Sequence, residues 1–290
     1  MSTDSRACKR PLRRVHSPRN DRAAVRACVI QLNSQDNVGA NLERVRTRVE
    51  QAASLGAALI TLPENFAFVG TEDEKRQVAE SIAKPGPIVQ ALLELAKCHR
   101  VHIVAGGFPE QSGDAQRPYN CSLLVGPEGI VAAYRKIHLF DVSLPDGTVL
   151  QESKATRAGS EPVVASVDGV CVGMTVCYDL RFPELFRKLL DGGARIVTVP
   201  AAFTLTTGKD HWHVLLRARA IENQVYILAP AQHGKHPLGR QTNGKSIVID
   251  PWGDVIAQVS EGEGIAVTDL DFTYQDRVRA SLPCLSHRRI

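Results

Sequence analysis

One large α/β domain is what residues 25–290 predict, on three observations. Short apolar runs alternate along the chain with longer segments whose apolar residues recur at helical spacing. Aromatic residues make up 5% of the chain against 43% hydrophobic residues, so Val, Ile, Leu and Ala must fill the core, a composition suited to buried sheet covered by helices. No Pro/Gly/Ser-rich linker divides the body, and no repeat of about 20–50 residues is visible.

Taken in order, residues 27–32 are a short apolar strand. Residues 38–55 follow with Leu42, Val45, Val49, Ala52 and Ala53 on one helical face, closed by Gly56. Residues 58–62 form a buried strand ended by Pro63; after a polar stretch, Pro87 opens a second amphipathic helix that reaches about His99. Strands are predicted at 101–105, 120–125 and 130–134, the last two joined by the turn Gly126-Pro127-Glu128-Gly129. Residues 163–167 and 170–176 flank Asp168-Gly169, a strong hairpin signal. Pro183 starts a helix running to about Gly192, 195–199 is a strand, and 211–223 is helical. Further strands are expected at 225–230, 246–249, 255–259 and 265–269.

The formal charge of +4 is unevenly spread. Of 35 Lys and Arg and 31 Asp and Glu, eight basic and two acidic residues lie in the first 26, which leaves 27 basic and 29 acidic for the rest. The body is therefore slightly acidic, which argues against a nucleic-acid partner. Residues 1–24 read as a disordered Arg-rich tail, with a targeting presequence or electrostatic tether as the alternative. The sequence has no apolar run of about 18 residues, so no membrane span is expected. Seven cysteines, an odd number with no CxxC pair, fit a reducing cytoplasm.

Three segments run from an apolar strand into a reactive side chain: Leu62-Pro63-Glu64, Tyr134-Arg135-Lys136 and Val176-Cys177-Tyr178. Strand ends hold side chains rigidly at the rim of a sheet, where residues distant in sequence converge. In such a trio Cys177 is the nucleophile, its pKa expected to be lowered by a cationic neighbour and by the helix opening at Pro183. Glu64 is the proton carrier, Lys136 the fixed positive charge for an oxyanion, and the backbone N–H of Tyr178 a second donor. Taken singly, Cys177 reads better as a structural residue, and Glu64 and Lys136 as solvated ones, than as catalytic groups.

The surrounding words narrow this. Leu62-Pro63-Glu64-Asn65-Phe66, Tyr134-Arg135-Lys136-Ile137-His138-Leu139-Phe140-Asp141 and Cys177-Tyr178-Asp179-Leu180-Arg181-Phe182-Pro183-Glu184 resemble, in matching order, three signature blocks of the nitrilase superfamily of carbon-nitrogen hydrolases. The resemblance extends over residues 25–289. It implies a four-layer α-β-β-α sandwich, a Glu-Lys-Cys triad at Glu64, Lys136 and Cys177, and a further glutamate, Glu152, orienting Lys136. It also implies at least a homodimer and a hydrolase that needs no cofactor.

Within the superfamily the chain looks most like the amidase branch acting on deaminated glutathione, which yields 2-oxoglutarate and cysteinylglycine. The alternatives are omega-amidase activity on 2-oxoglutaramate or 2-oxosuccinamate, another small-amide, N-carbamoyl or nitrile substrate, and a non-enzymatic scaffold. The substrate would be a small anion, and Arg181 is the candidate cation for it, unless it pairs with Glu184 or a partner subunit. Where relatives commonly carry Gly-Pro-Ala-His-Trp and an aromatic residue before Gly-His-Ser, this chain has Gly208-Lys209-Asp210-His211-Trp212 and Asn243-Gly244-Lys245-Ser246. Both are expected on loops at the mouth. His211 and His213, two apart on a helix, point to different sides and make no metal pair; Trp212 is expected in the core or a dimer interface. No Gly-rich phosphate loop follows a strand, so no nucleotide cofactor is implied.

Overall fold

The layers arise from the first strand, β1 (Ala24–Gln31), whose Val25, Ala27 and Val29 enter one apolar core and whose Cys28 and Ile30 enter another. Successive side chains of a strand face opposite sides, so a strand apolar on both faces must be covered on both. The computed structural model describes residues 23–143 and 149–289. The tail expected over 1–24 lies outside them except for its last two residues, and Ala24 already belongs to β1.

From β1 the chain passes through α1 (Val38–Ser54), β2 (Leu59–Leu62), the short α2 (Glu72–Gln77) and α3 (Pro87–His99). An antiparallel series follows: β3 (His102–Glu110), β4 (Tyr119–Gly126) and β5 (Gly129–Arg135). A small antiparallel pair, β6 (Asp141–Ser143) and β7 (Val149–Gln151), leads into the second half. That half contains β8 (Val163–Val167), β9 (Val170–Met174), α4 (Pro183–Asp191), β10 (Ile196–Thr198), α5 (Leu205–Asn223) and β11 (Tyr226–Ala229). A second small pair, β12 (His233–Lys235) and β13 (Gln241–Asn243), precedes β14 (Ile247–Ile249), β15 (Val255–Gln258), β16 (Gly264–Asp271) and α6 (Phe272–Ser281).

Two six-stranded sheets result, ordered β16-β1-β2-β3-β4-β5 and β15-β14-β11-β10-β9-β8. Each has three parallel strands at its centre, β1-β2-β3 and β9-β10-β11, with antiparallel strands outside. Val45 and Val49 of α1 and Leu92 and Leu95 of α3 cover the outer face of the first sheet. On the other side, Phe186 and Leu189 of α4 and Trp212 and Leu216 of α5 join the core that also fills the space between the sheets. This is the four-layer α-β-β-α order, and Trp212 is fully buried within it.

Most of the predicted elements stand within a residue or two, including the β8–β9 hairpin, whose Asp168 and Gly169 both have positive φ. Three differ. The helix expected at 211–223 starts at Leu205, where the Thr204 hydroxyl accepts from Thr207 N–H and caps it. Gly208-Lys209-Asp210-His211-Trp212 is therefore helical rather than a mouth loop, and Gly208 packs directly on Asn243. The weak helix formers Thr206, Thr207 and Gly208 hide this start from the sequence. β3, expected to stop at Ala105, runs on through an irregularity at Gly106-Gly107 to Glu110. The polar stretch after Pro63 contains α2, opened by a capping box between Thr71 and Glu74, and residues 272–281 add α6. Among the described residues no helix is long and apolar enough to cross a membrane.

Candidate active site

The three reactive side chains come together between the two sheets, near the ends of their parallel strands, where such sheets commonly place their sites. Lys136 follows β5 and keeps its alternation, on the inner face with Ala132 and Tyr134. Its Nζ lies 3.0 Å from Glu64 Oε1 and 3.1 and 2.9 Å from the two oxygens of Glu152. Glu64, just past Pro63 at the end of β2, also receives the Ala202 N–H on Oε2 at 3.0 Å. Gly107 makes room for it: a Cβ there, at φ +57°, would stand 2.6 Å from Asn120 Oδ1 and 2.8 Å from Glu64 Cγ.

Cys177 lies three residues beyond β9, at the first position of a one-turn helix over Cys177–Arg181, with φ +50°. A non-glycine residue held there is strained, and nucleophiles on sharp strand-to-helix turns share this trait. Two contacts hold the turn. The Cys177 N–H donates to Pro200 O at 2.8 Å, and Asp179, fully buried, gathers the rest. Asp179 accepts from Tyr134 Oη (2.7 Å), Val176 N–H (2.8 Å) and His138 N–H (3.1 Å), and its Oδ1 lies 2.7 Å from His138 Nδ1. The blocks that carry Lys136 and Cys177 are thereby tied to one another through a single carboxylate. Among the described residues the Tyr178 N–H has no acceptor, as the first donors of a helical turn commonly do not, and it is open to a ligand oxygen.

The electrostatics correct one expectation. Burial pushes the Cys177 thiol well above the ordinary thiol range and the Glu64 carboxylate adds to this, while Lys136 and the Ala202 N–H oppose it only in part. The lowered pKa expected from a cation and a nearby helix is overturned, because burial and a facing carboxylate outweigh both. The surroundings thus favour the neutral thiol over the thiolate, with the Glu64 carboxylate as the facing group able to accept a proton. The ultraviolet absorbance of thiolate, compared between wild type and Cys177→Ser, is accordingly expected to show no contribution from Cys177 between about pH 6 and about pH 9. A titration step in that interval that the variant lacks would contradict this.

Lys136 stays charged. Burial works against its charge, but the carboxylates of Glu152 and Glu64 outweigh it and hold the ammonium's pKa well above the usual lysine range. Burial likewise raises Glu152, yet Lys136 and Lys75 more than offset it and leave that carboxyl below its ordinary value. Glu152 opens the turn Glu152–Lys154 and is clasped by the Phe140 N–H at 2.7 Å, so it is anchored rather than a solvated loop residue.

Arg181 is half-buried, with its guanidinium 5.9 Å from the ring centroid of Tyr178 and 5.4 Å from that of Phe203. Its side chain meets His211 Nδ1 at 3.3 Å, and among the described residues it pairs with no carboxylate, Glu184 included. His213 turns away to Gln258, as expected for residues two apart on a helix. Among the described residues no cluster of His, Cys, Asp and Glu could hold a metal ion. One site residue escaped sequence reasoning: Asn120 of β4, whose Nδ2 lies 2.9 Å from Glu64 Oε1 and 3.3 Å from Glu152 Oε1. Its signal was an amide on the inner face of a buried apolar strand, in register with Ser122 and Leu124.

A buried thiol, a carboxylate and an ammonium in this arrangement have the groups that nucleophilic acyl transfer needs. Known proteins share the sequence and the fold. The family model for carbon-nitrogen hydrolases matches residues 26–280. The chain is 44% identical over 266 residues to a deaminated glutathione amidase of Synechocystis, covering 90% of this chain and 97% of that one. Its fold is similar to the crystal structure of the Caenorhabditis elegans NitFhit protein, with TM-score 0.87 and 36% identity, covering 92% of this chain and 65% of that longer one. It is similar also to Saccharomyces cerevisiae Nit3, of branch 10 of the nitrilase superfamily, with TM-score 0.84 and 31% identity over 92% and 97% of the two chains. With the sheets, the three sequence blocks and these matches in agreement, the chain belongs to the carbon-nitrogen hydrolase family.

Proposed function

We propose that the protein is an amidase that hydrolyses deaminated glutathione through a thioester on Cys177. The observation that carries this reading is the convergence of the Cys177 thiol, Glu64 and Lys136 in a buried site, joined to the names of relatives that match almost the whole chain. In this reading Sγ bonds to the amide carbonyl carbon while its proton passes to Glu64. The carbonyl oxygen becomes negative facing the Lys136 ammonium and the Tyr178 N–H. The C–N bond then breaks, and Glu64 returns the proton to the leaving amine of cysteinylglycine. A water, deprotonated by Glu64, attacks the thioester; the C–S bond breaks, 2-oxoglutarate leaves, and the thiol regains its proton. Glu152 holds Lys136 in place throughout.

The acyl part of this substrate is a 2-oxo acid, and Arg181 is the cation we assign to its carboxylate. A half-buried guanidinium between two rings with no carboxylate partner among the described residues supports that assignment. Deaminated glutathione and 2-oxoglutaramate form the same acyl-enzyme and differ only in the amine released, so the products separate them. Release of cysteinylglycine with little ammonia from 2-oxoglutaramate is the expected result; the reverse preference would overturn the substrate. Arg181→Leu is expected to raise KM for either anion by about 10- to 100-fold, the worth of a charge-assisted pair, with a smaller effect on kcat. An unchanged KM would remove Arg181 from substrate binding.

We also infer a cytoplasmic homodimer. All six cysteines among the described residues are free, which supports a reducing compartment. Val214 and Ile221, one helical face of α5, are exposed beside an exposed Trp252, which supports a partner subunit there.

A further inference from the structure

Glu64 has two oxygens, and their surroundings differ. Oε1 accepts from Lys136 Nζ at 3.0 Å and from Asn120 Nδ2 at 2.9 Å. A carboxylate oxygen has two lone pairs in its plane, so Oε1 is saturated. Among the described residues Oε2 accepts one bond, from the Ala202 N–H at 3.0 Å, and both that N–H and the Glu64 carboxylate bear on the Cys177 thiol. Oε2 and the thiol are therefore on the same side of the carboxylate, and Oε2 retains a free lone pair.

Asn120 does more than fill Oε1. Its Nδ2 reaches Glu152 Oε1 at 3.3 Å, its backbone carbonyl accepts the Lys136 N–H at 2.9 Å, and its side chain is buried against Gly107. Asn120, Glu64, Lys136 and Glu152 thus close a ring in which every polar hydrogen comes from Asn120 or Lys136 and every acceptor is a carboxylate oxygen. An amide nitrogen can only donate, so this ring leaves Glu64 Oε1 and Glu152 Oε1 no place for a proton of their own.

We propose that Asn120 is a positioning residue that makes the two glutamates unequal, confining proton transfer to Oε2 of Glu64 and keeping Glu152 as a fixed anion behind Lys136. This rests on the reading of Cys177, Glu64 and Lys136 given above and adds to it which oxygen moves the proton and what enforces that choice. Without the amide, Oε1 is held by Lys136 alone, so Glu64 exchanges its oxygens more readily and spends part of its time with no open lone pair towards sulfur. Both chemical steps use Glu64, so both must slow together, whereas substrate affinity does not involve Asn120.

The test is Asn120→Leu, which keeps about the same size and removes the donor without adding a charge or a proton. With deaminated glutathione as substrate, the rate of the initial cysteinylglycine burst and the rate of thioester decay are each expected to fall by at least about 30-fold, with KM within about twofold of wild type. Asn120→Ser, too short to reach both carboxylates, is expected to show the same pattern and serves if the first variant does not fold. A residue that acts only in packing would lower the melting temperature and leave both rates near wild type, and that result overturns the proposal. So does slowing of one step alone. Wild-type protein is followed in parallel by mass spectrometry: absence of an acyl adduct on Cys177 there defeats the proposed function and this inference with it. An adduct in wild type together with wild-type rates in both Asn120 variants defeats this inference alone.

Discussion

Replacing Cys177 by alanine is expected to lower kcat by about 10⁴-fold or more, with the protein folded and its melting temperature little changed. The size follows from the absence of a substitute. Glu64 and Lys136 remain in place in the variant, but neither forms a covalent bond to the substrate, and water attacking the amide directly faces a barrier that the thioester route divides in two. The small stability change follows from the site. The thiol is buried beside a carboxylate that disfavours its ionisation, and the turn is held by the backbone bond to Pro200 and by Asp179 rather than by sulfur. Turnover of deaminated glutathione and the mass of the trapped intermediate check this; a variant that keeps a tenth of wild-type activity would exclude Cys177 as nucleophile.

Lys136→Met should carry the second largest effect, on activity and stability at once. The thioether matches the length of the lysine stem and removes the charge, so kcat is expected to fall by about 10²- to 10³-fold or more through loss of the fixed cation at the oxyanion. Lys136 is 2% exposed between two carboxylates. Removing one partner from a buried ionic cluster leaves the others unpaired, a cost of about 3–5 kcal/mol.

The pH dependence of that loss has a definite sign. In wild type, burial raises Glu152 but Lys136 and Lys75 hold its folded pKa below the unfolded value. Its contribution to stability is thus present above the unfolded pKa and is lost as pH falls through the folded one. Without Lys136, burial, the strongest influence on this carboxyl, is opposed only by Lys75 and the Phe140 N–H, and the folded pKa is expected to rise above the unfolded value. The contribution is then present below the unfolded pKa and lost as pH rises. Thermal melting from about pH 5 to about pH 8 should show Lys136→Met closest to wild type at the acid end. A gap that narrows with rising pH would contradict the ionic ring.

How much of this was legible in the sequence depends on which physical rule placed each residue. Alternation along strands is local, and so the layering of β1, the hairpin at Asp168-Gly169 and the inward aim of Lys136 all follow from residue order. The start of α5 did not, because its cap and the packing of Gly208 on Asn243 outweigh the poor helix propensity of Thr206, Thr207 and Gly208. Asn120 was overlooked for a related reason: a lone amide in an apolar strand has no meaning until its partners are known, and those partners are 56 and 32 residues away.

By itself the sequence determined the α/β class, the three reactive blocks and the order in which they occur, since hydrophobic period and residue chemistry are properties of short stretches. The tertiary structure decided which way Glu64 and Cys177 face. Counting by twos from Ile60 and Leu62 would send Glu64 to the helix-covered side of its sheet, and counting from Gly173, which packs on Leu189, would send Cys177 the same way on the other. Both lie past their strand ends, Glu64 just before the positive φ of Asn65 and Cys177 itself at positive φ, where strand alternation no longer applies. Such conformations are costly alone; here Pro200, Asp179 and the cleared space at Gly107, all remote in sequence, hold them in place. The same remote packing set the ionisation of the thiol, which the sequence suggested would be lowered and burial raises.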